Sequence, residues 1–508
     1  MGVARVLSVG LVGVRGHVVE VEADLAQGLP GLVITGLPDT ALGEARDRLR
    51  AAVGNSRLRW PSRRITIGLS PAWLPKHGSS FDLAMAAAVL CADGVLPERG
   101  LSGAIVLGEL ALDGRVRPVR GVLPAVLAAS RLGVHRAVVP APNVLEARLV
   151  PEADVVGVAT LAGLAAYLRG DAEPVEPRAD ADGADPDVLP PDLADVQGQD
   201  VGRQAVEVAA AGGHHLFLTG PPGSGKTMLA ERLPGVLPPL PLQAALEVTA
   251  VHSVAGTLPA GGPLVRRPPY QAPHHTASVA ALVGGGSGIA RPGALSLAHY
   301  GVLFLDEAPE FASGVLDALR QPLERGEVVL ARSGGVACYP ARVQLVLAAN
   351  PCPCASSAGE DRCVCSSAAR RRYLGRLSGP LLDRVDLQVT LLPVGLSALL
   401  AGDGAAAQGT AVVAERVARA RAAAAERWQR HGWRTNSEVP GQALRGCYRL
   451  PRGVRTSLDR KVDTRAVSAR GYDRVLRVAW TLADLAGKDQ PDEGDVAFAT
   501  DLRLGQAA

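Results

Sequence analysis

Short Val/Ile-rich runs alternate with Ala-rich stretches of helical period along the first third of the chain. Residues 18–21, 65–69, 104–106 and 137–139 read as strands, with 81–90 and 124–132 as helices between them. A self-contained mixed α/β unit over residues 1–170 is expected. The pattern breaks at 171–195, where nine acids, one arginine and five prolines leave too little apolar surface for a core. That stretch predicts a solvated acidic linker. Strand and helix patterns alternate again over 196–395, and 396–508 is mostly of helical period.

Composition sharpens this picture. The 508 residues are 47% hydrophobic but only 3% aromatic, so the cores must be built from Ala, Val and Leu. A wholly disordered chain is excluded by that apolar fraction. The net charge of +3 excludes a histone-like polycation while permitting local basic faces. Lysine is confined to Lys76, Lys226, Lys461 and Lys488, so the basic side is carried by arginine. Residues 411–480 hold 16 Arg/Lys against six Asp/Glu, which fits either solvated helix faces or a nucleic-acid face. The first ten residues show no apolar core with a cleavage site, and 387–402, uncharged for 16 residues, is too short and too polar to span a bilayer. A cytoplasmic protein without a membrane segment is expected.

The densest chemistry follows the apolar run 216–219. Gly220, Pro221, Pro222, Gly223, Ser224, Gly225, Lys226 and Thr227 fit G-x-x-x-x-G-K-[ST] between a strand and a helix. Glycines let backbone N–H groups crowd round phosphates, and the helix N-terminus adds a positive dipole end. Lys226 is then placed for the β- and γ-phosphates and Thr227 for Mg²⁺. A second strand, 301–305, ends in Asp306 and Glu307. At the carboxyl end of a parallel strand, Asp306 suits the Mg²⁺ shell and Glu307 the polarising of a water. A third, 343–349, ends in Asn350, whose amide can orient that water; a turn-forming Asn before Pro351 is the plain alternative. Arg384 follows a short apolar helix and Arg470 opens another; read alone, each is equally an ordinary surface arginine.

Cys352 and Cys354 are followed, after eight residues, by Cys363 and Cys365. Four thiolates in two local pairs suit a tetrahedral Zn²⁺, although C-x-C is tighter than the usual C-x2-C. Reversible disulfides and unliganded thiols are the other two readings. His274 and His275 lack a third ligand partner in sequence and read as structural or loop residues.

The combination resembles an AAA+ ATPase, and more narrowly the magnesium-chelatase-related ComM/YifB family. The resemblance rests on Tyr270, Gln271, Ala272, Pro273, His274, His275 and Thr276, on Gly284–Gly286, on Arg291–Leu297, on 301–307, on Asn350–Cys354 and on Tyr373–Arg384. It covers nearly the whole chain. It implies an AAA+ P-loop NTPase α/β core with a helical lid, ATP and Mg²⁺ as ligands, and a homo-hexamer acting on single-stranded or branched DNA in branch migration, homologous recombination and natural transformation. It further implies that Arg384 is an arginine finger serving a neighbouring subunit, Arg470 a sensor-2 arginine, Asn350 sensor 1, and 195–199 a segment near the adenine.

The 80 positions between Lys226 and Asp306 exceed what one helix and one strand need, so insertions are expected. Residues 266–300 resemble the subgroup's helix-2 insertion, which in ring motors points into the pore. Residues 328–338 read as a hairpin about Gly334 and Gly335, with Arg332 near its tip.

The N-terminal unit resembles the proteolytic domain of Lon protease, of the ribosomal S5 domain 2-like fold. Ser80 falls at the nucleophile position, but Leu123 falls where the base lysine belongs. A serine without its amine is a poor nucleophile, so a non-proteolytic module is expected. A chelatase-like remodeller of a protein or metal-tetrapyrrole partner is the main rival, and an ATP-dependent protease the second.

Overall fold

The computed structural model describes residues 2–36, 39–76, 78–176, 190–258, 264–286, 290–332, 335–354, 363–393 and 408–507. The middle of the acidic segment, 177–189, and the 395/396 boundary lie outside these.

A seven-stranded sheet organises the N-terminal unit, in the order Gly31–Thr35, Arg64–Ser70, Arg15–Ala26, Gly2–Val12, Ala104–Val106, Arg136–Pro140, Asp154–Val158. The first two strands in sequence form a long antiparallel hairpin, paired from Gly2↔Leu25 to Val12↔Arg15. Val19, Val21, Ala23 and Leu25 alternate inward along it, as period-two patterning requires. The helix Asp82–Ala92 is buried from Asp82 to Leu90. Its alanines let it lie close on the sheet, which is how a core almost without aromatics fills its volume. Arg48 neutralises the one buried charge of that helix through Nε, 2.8 Å from Asp82 Oδ2. Burial nevertheless pushes the Asp82 carboxyl up to about 6.

The second sheet has five strands, all parallel, ordered Tyr270–Gln271, Val302–Leu305, Gln344–Ala349, Leu216–Thr219, Leu387–Thr390. Its strands Val302–Leu305 and Gln344–Ala349 are buried throughout because helices cover both faces, and only Gln344 among them is polar. Two short excursions leave this sheet. One includes the short helix Val279–Val283 and the strand pair Gly284–Gly285 with Arg291–Pro292; the other is a hairpin of Glu327–Arg332 and Gly335–Pro340.

The helices Thr410–Trp428, Arg452–Asp463, Ala469–Leu485 and Glu493–Leu504 share one core with the five-stranded sheet. Trp428, fully buried, donates its indole N–H to Asn436 Oδ1 at 2.8 Å and packs edge-on to Tyr448 and Trp480.

The N-terminal unit docks directly on the nucleotide-binding part. Leu246 and Ala250, from the helix Leu242–Ala255, sit in the same apolar cluster as Val122, Leu123 and Val126 of the helix Val122–Arg131. At this joint Glu146 accepts hydrogen bonds from the Leu123 N–H at 2.8 Å, from Asn143 Nδ2 at 3.0 Å and from Ser253 Oγ. At Gly13 (φ +64°) the turn of the first hairpin lies against Cys338, so close that a Cβ there would meet the Cys338 carbonyl at 2.6 Å.

Both described ends of the acidic segment are mostly exposed yet make specific contacts with the rest of the chain. The Val175 N–H bonds Gly157 O at 2.9 Å and Glu176 pairs with Arg148. Leu193 is buried, Asp192 Oδ1 accepts from the Thr410 N–H at 2.7 Å, and Asp195 meets Arg232 at 3.0 Å. An acid whose oxygens meet backbone N–H groups or a guanidinium gains order without an apolar core, which composition alone did not register. Among the described residues no helix is long and apolar enough to cross a membrane.

Candidate functional site

Because the strands Leu216–Thr219, Val302–Leu305 and Gln344–Ala349 run parallel in register, with Thr219↔Ala349 and Leu305↔Leu347, their carboxyl ends finish close together. The loop after the first is shaped by Gly223 (φ +76°) and Gly225 (φ +87°), left-handed positions that a side chain would strain. A Cβ at Gly223 would meet nothing within 4 Å, so the loop leaves open space above its backbone. The helix Lys226–Val236 begins there, and the N–H groups of its first turn have no intrahelical acceptor.

Lys226 is folded back into this cradle. Its Nζ donates to Gly220 O at 2.7 Å, Pro221 O at 2.9 Å and Asn350 Oδ1 at 3.1 Å. Burial lowers its pKa, with Asp306 and Glu307 opposing. Thr227 Oγ1 donates to Asp306 Oδ2 at 2.7 Å, and the other carboxylate oxygen of Asp306 accepts the Glu307 N–H at 2.8 Å. Lys226, Thr227, Asp306, Glu307 and Asn350 are thus joined in one set drawn from three strand ends. Gln199 lies buried alongside, its Nε2 donating to Leu392 O at 2.7 Å.

Glu307 has a left-handed backbone (φ +49°, ψ 42°). Such a conformation costs a non-glycine residue about 1 kcal/mol or more and persists only where the surroundings impose it. Here the Asp306 carboxylate takes its N–H, and its carbonyl accepts the Glu310 N–H at 2.7 Å. The Glu307 carboxylate is half-exposed. His275 Nδ1 lies 3.1 Å from its Oε2. Sequence reasoning left His275 as a loop residue; its position four residues beyond Gln271, on the strand beside Val302–Leu305, is the signal that places it here.

A polyanion fits this set. Its donors are an ammonium, a hydroxyl and first-turn N–H groups, and Ser224 Oγ is buried at the loop with no hydrogen-bond partner. The carbonyls that Lys226 now serves, of Gly220 and Pro221, are acceptors that phosphate oxygens can replace. Thr227 and Asp306 together supply the hard oxygen ligands Mg²⁺ prefers.

The two arginines are not part of the connected set. Arg384 follows the short helix Gly379–Leu382, bonds Pro380 O, and pairs with Glu324. Arg470, at the start of Ala469–Leu485, is 74% exposed and 3.9 Å from Asp383 Oδ2. Below them a buried polar joint that sequence reading missed ties the sheet to the helices. Asp386 Oδ1 accepts from Arg474 at 2.5 Å, while Oδ2 takes the His215 N–H at 3.1 Å and lies 3.6 Å from His214 Nδ1. Burial acts to raise the Asp386 pKa, but Arg474 and His214 outweigh it and hold it well below the carboxylate range. Burial pushes His215 down to about 4.

The Sγ atoms of Cys352, Cys354, Cys363 and Cys365 all lie within 4.8 Å of one another. Cys352 Sγ is 3.0 Å from Cys354 Sγ and 3.3 Å from Cys363 Sγ. A tetrahedral zinc with Zn–S near 2.3 Å holds its sulfurs about 3.8 Å apart, so the four thiols stand at the scale of such a site. The cluster joins the strand end at Asn350 to the helix Ser367–Leu374, where Tyr373 lies buried near Cys352 and Glu307; burial and Glu310 push its hydroxyl up to about 12.

In the N-terminal unit Leu123 is fully buried. Lys76 gives its ammonium to the carbonyls of Pro71 and Leu74. Ser79, not Ser80, meets a carboxylate, that of Glu109.

The chain is similar to known proteins along nearly its whole length. Family models described as "Magnesium chelatase, subunit ChlI", "Subunit ChlI of Mg-chelatase" and "Magnesium chelatase, subunit ChlI C-terminal" match residues 192–398, 21–143 and 407–503. An uncharacterized protein of Mycobacterium tuberculosis is 57% identical over 503 residues, 99% of each chain. Competence protein ComM of Haemophilus influenzae is 39% identical over 510 residues, 99% of this chain and 98% of its own. A Lon protease of Salinispora arenicola is similar over part of its length, 32% identical across 200 residues, 37% of this chain and 25% of that one. With a parallel α/β core that carries a P-loop, three matching family models and full-length similarity to ComM and YifB, the chain belongs to the ComM/YifB magnesium-chelatase-like family of AAA+ proteins.

Proposed function

We propose that this protein is an ATP-hydrolysing motor on single-stranded or branched DNA, working as a homo-hexamer in branch migration during recombination, as in natural transformation. The observation that carries the reading is the hydrogen-bonded set Lys226–Asn350 and Thr227–Asp306–Glu307 at the ends of three parallel strands.

In this reading Gly220 to Thr227 hold the triphosphate, Lys226 exchanging its carbonyl partners for the β- and γ-phosphates. Thr227 and Asp306 would hold Mg²⁺, which would supply charge neutralisation to the phosphates. Glu307 orients and deprotonates the attacking water, and Asn350 fixes its direction. Arg384 leaves Glu324 to complete the neighbouring subunit's site, which makes a ring necessary. Arg470 closes the helical lid over the nucleotide. DNA contact falls to the two insertions, which carry the exposed Arg291 and Arg332, and to the basic helices.

The division 1–170, 171–195, 196–395 and 396–508 is part of the same reading. The N-terminal part is a Lon-like module without protease chemistry, since Leu123 replaces the amine. The four cysteines bind a structural Zn²⁺, which supplies a rigid tie between Asn350 and the helix Ser367–Leu374.

The test is steady-state ATP turnover of the full chain with and without single-stranded and four-way-junction DNA. Stimulated turnover that Glu307→Gln abolishes is expected. A hexamer that hydrolyses ATP indifferently to DNA would instead be a chelatase-like remodeller.

A further inference from the structure

Aromatic residues make up only 3% of the chain, yet three of its five tryptophans lie in the C-terminal helical part. Their rings lead outward from that core to the surface. Trp428 and Trp480 are buried, and Trp433 follows at 6.0 Å from Trp428 between centroids. His431 is outermost, stacked on Trp433 at 4.4 Å and 15°. Gly432 makes this possible: its left-handed backbone (φ +74°), which a side chain would strain, turns the chain so that residues 431 and 433 face each other. His431 Nε2 lies 2.9 Å from the Tyr448 hydroxyl, and Tyr448 is held edge-on against Trp428. One face of the imidazole is thus covered by Trp433 and one edge is fixed by Tyr448. The residue is exposed, so the opposite face is open to solvent.

Charge around this stack is one-sided. Residues 427–455 hold seven arginines against a single acid, Glu438. Three of the arginines are neutralised within the helices: Arg427 by Asp484, Arg445 by Asp473 and Arg455 by Asp459. Arg430, Arg434 and Arg449 are different. They adjoin His431, Trp433 and Tyr448 in the chain and are exposed, and among the described residues none of them has an ion pair. Glu438 takes the Arg434 backbone N–H at 2.7 Å, not its guanidinium. A face that served only solubility would gain nothing from an open ring stack, since wetted ring surface is unfavourable. Rings and unneutralised guanidiniums side by side match a ligand that is planar and anionic at once.

We propose that the open face of His431 stacks on a base of single-stranded DNA while Arg430, Arg434 and Arg449 meet the flanking phosphates. Every base has a π-face, and a guanidinium matches phosphate through paired N–H bonds, so the site takes an unpaired strand without reading its sequence. A base inside a duplex is already stacked on both sides and would first have to leave the stack. The proposal rests on the DNA-motor reading. It adds a strand contact on the C-terminal helices, on other elements than the two insertions.

The experiment measures binding of a fluorescent oligo-dT strand, and of an abasic strand of equal length, to the full-length parent, His431→Ala, His431→Phe and the double variant Arg430→Gln with Arg434→Gln. Binding is followed across a salt series, with ATP turnover alongside. The parent is expected to prefer oligo-dT to the abasic strand. His431→Ala is expected to weaken oligo-dT about tenfold, the usual scale for one stacked base, and to leave abasic binding and DNA-free turnover unchanged. His431→Phe keeps a ring and is expected to restore the preference. The double arginine variant is expected to weaken both strands alike and to lower the slope of log affinity against log salt by about 1.4, for two lost phosphate contacts. Parent-like oligo-dT affinity in His431→Ala would overturn the proposal. Equal affinity of the parent for the two strands would overturn it as well. A parent that binds neither strand, with turnover indifferent to DNA, would instead defeat the DNA-motor reading, so the two failures are distinct.

Discussion

Replacing Arg474 with methionine isolates the buried joint between the five-stranded sheet and the C-terminal helices. Arg474 is 16% exposed and Asp386 2%, and their bond spans 2.5 Å between a strand end and the helix Ala469–Leu485. Methionine keeps the apolar stem and removes only the charge. Asp386 is then a buried carboxylate without its strongest partner. Arg477 and Arg503 stand near enough to feel Asp386, but each already donates to a carbonyl, of Val439 and of Val385. Breaking a buried pair on one side costs about 3–5 kcal/mol. The surviving His215 N–H bond places the expected loss near the lower end, about 3 kcal/mol. Trp428 and Trp480 report on these helices, so urea unfolding followed by tryptophan fluorescence reads the right region. At a slope of about 2 kcal/mol per molar, the midpoint falls by about 1.5 M.

Acidity supplies a second signature. In the parent chain Asp386 is held below its ordinary value. Its stabilising contribution is complete above the unfolded value, near pH 4, and fades as pH falls through the lower folded value. In the variant burial dominates and the carboxyl moves up, so protonation relieves the folded state. The variant's deficit is therefore largest at pH 7 and shrinks toward about pH 5. A midpoint shift below about 0.3 M at pH 7 would refute the reasoning. So would a double variant, Asp386→Asn with Arg474→Met, no more stable than Arg474→Met alone.

Three further outcomes are expected. Lys226→Ala removes the ammonium that three oxygens converge on, and equilibrium binding of a fluorescent ATP analogue should weaken by about tenfold or more. Cys352→Ser should lose the bound zinc, measured as metal per chain by mass spectrometry against about one equivalent in the parent; equal metal content in both would remove the cluster as its site. Trp428→Ala deletes a fully buried ring packed on Tyr448 and Trp480, and should destabilise the helical region by about 3–5 kcal/mol in the same urea experiment.

Much of this molecule is legible locally. The three-residue strand Ala104–Val106 and the helix Asp82–Ala92 match their hydrophobic patterns because each meets its core through its own side chains. In the proposed reading, Lys226, Thr227 and Asp306 are legible because phosphate and Mg²⁺ chemistry would restrict the residue types and because strand, loop and helix are contiguous there. The hairpin Glu327–Arg332 with Gly335–Pro340 is a local event too, announced by its glycines.

What sequence left open depends on contacts across long separations. His275 lies 32 positions before Glu307, and only the pairing of Tyr270–Gln271 beside Val302–Leu305 brings them within 3.1 Å. Asp386 with Arg474, and Glu146 with Ser253, are ordinary polar residues until tertiary packing removes their water. The ends of the acidic segment look solvated by composition, yet Asp192 and Asp195 find Thr410 and Arg232. The cysteines are near neighbours in sequence, but only the fold shows that their four sulfurs converge. Periodicity and motif spacing encode what a segment does with its own neighbours; charge partners and the joints between parts are fixed only when the chain closes on itself, because desolvation and distance then set their energies.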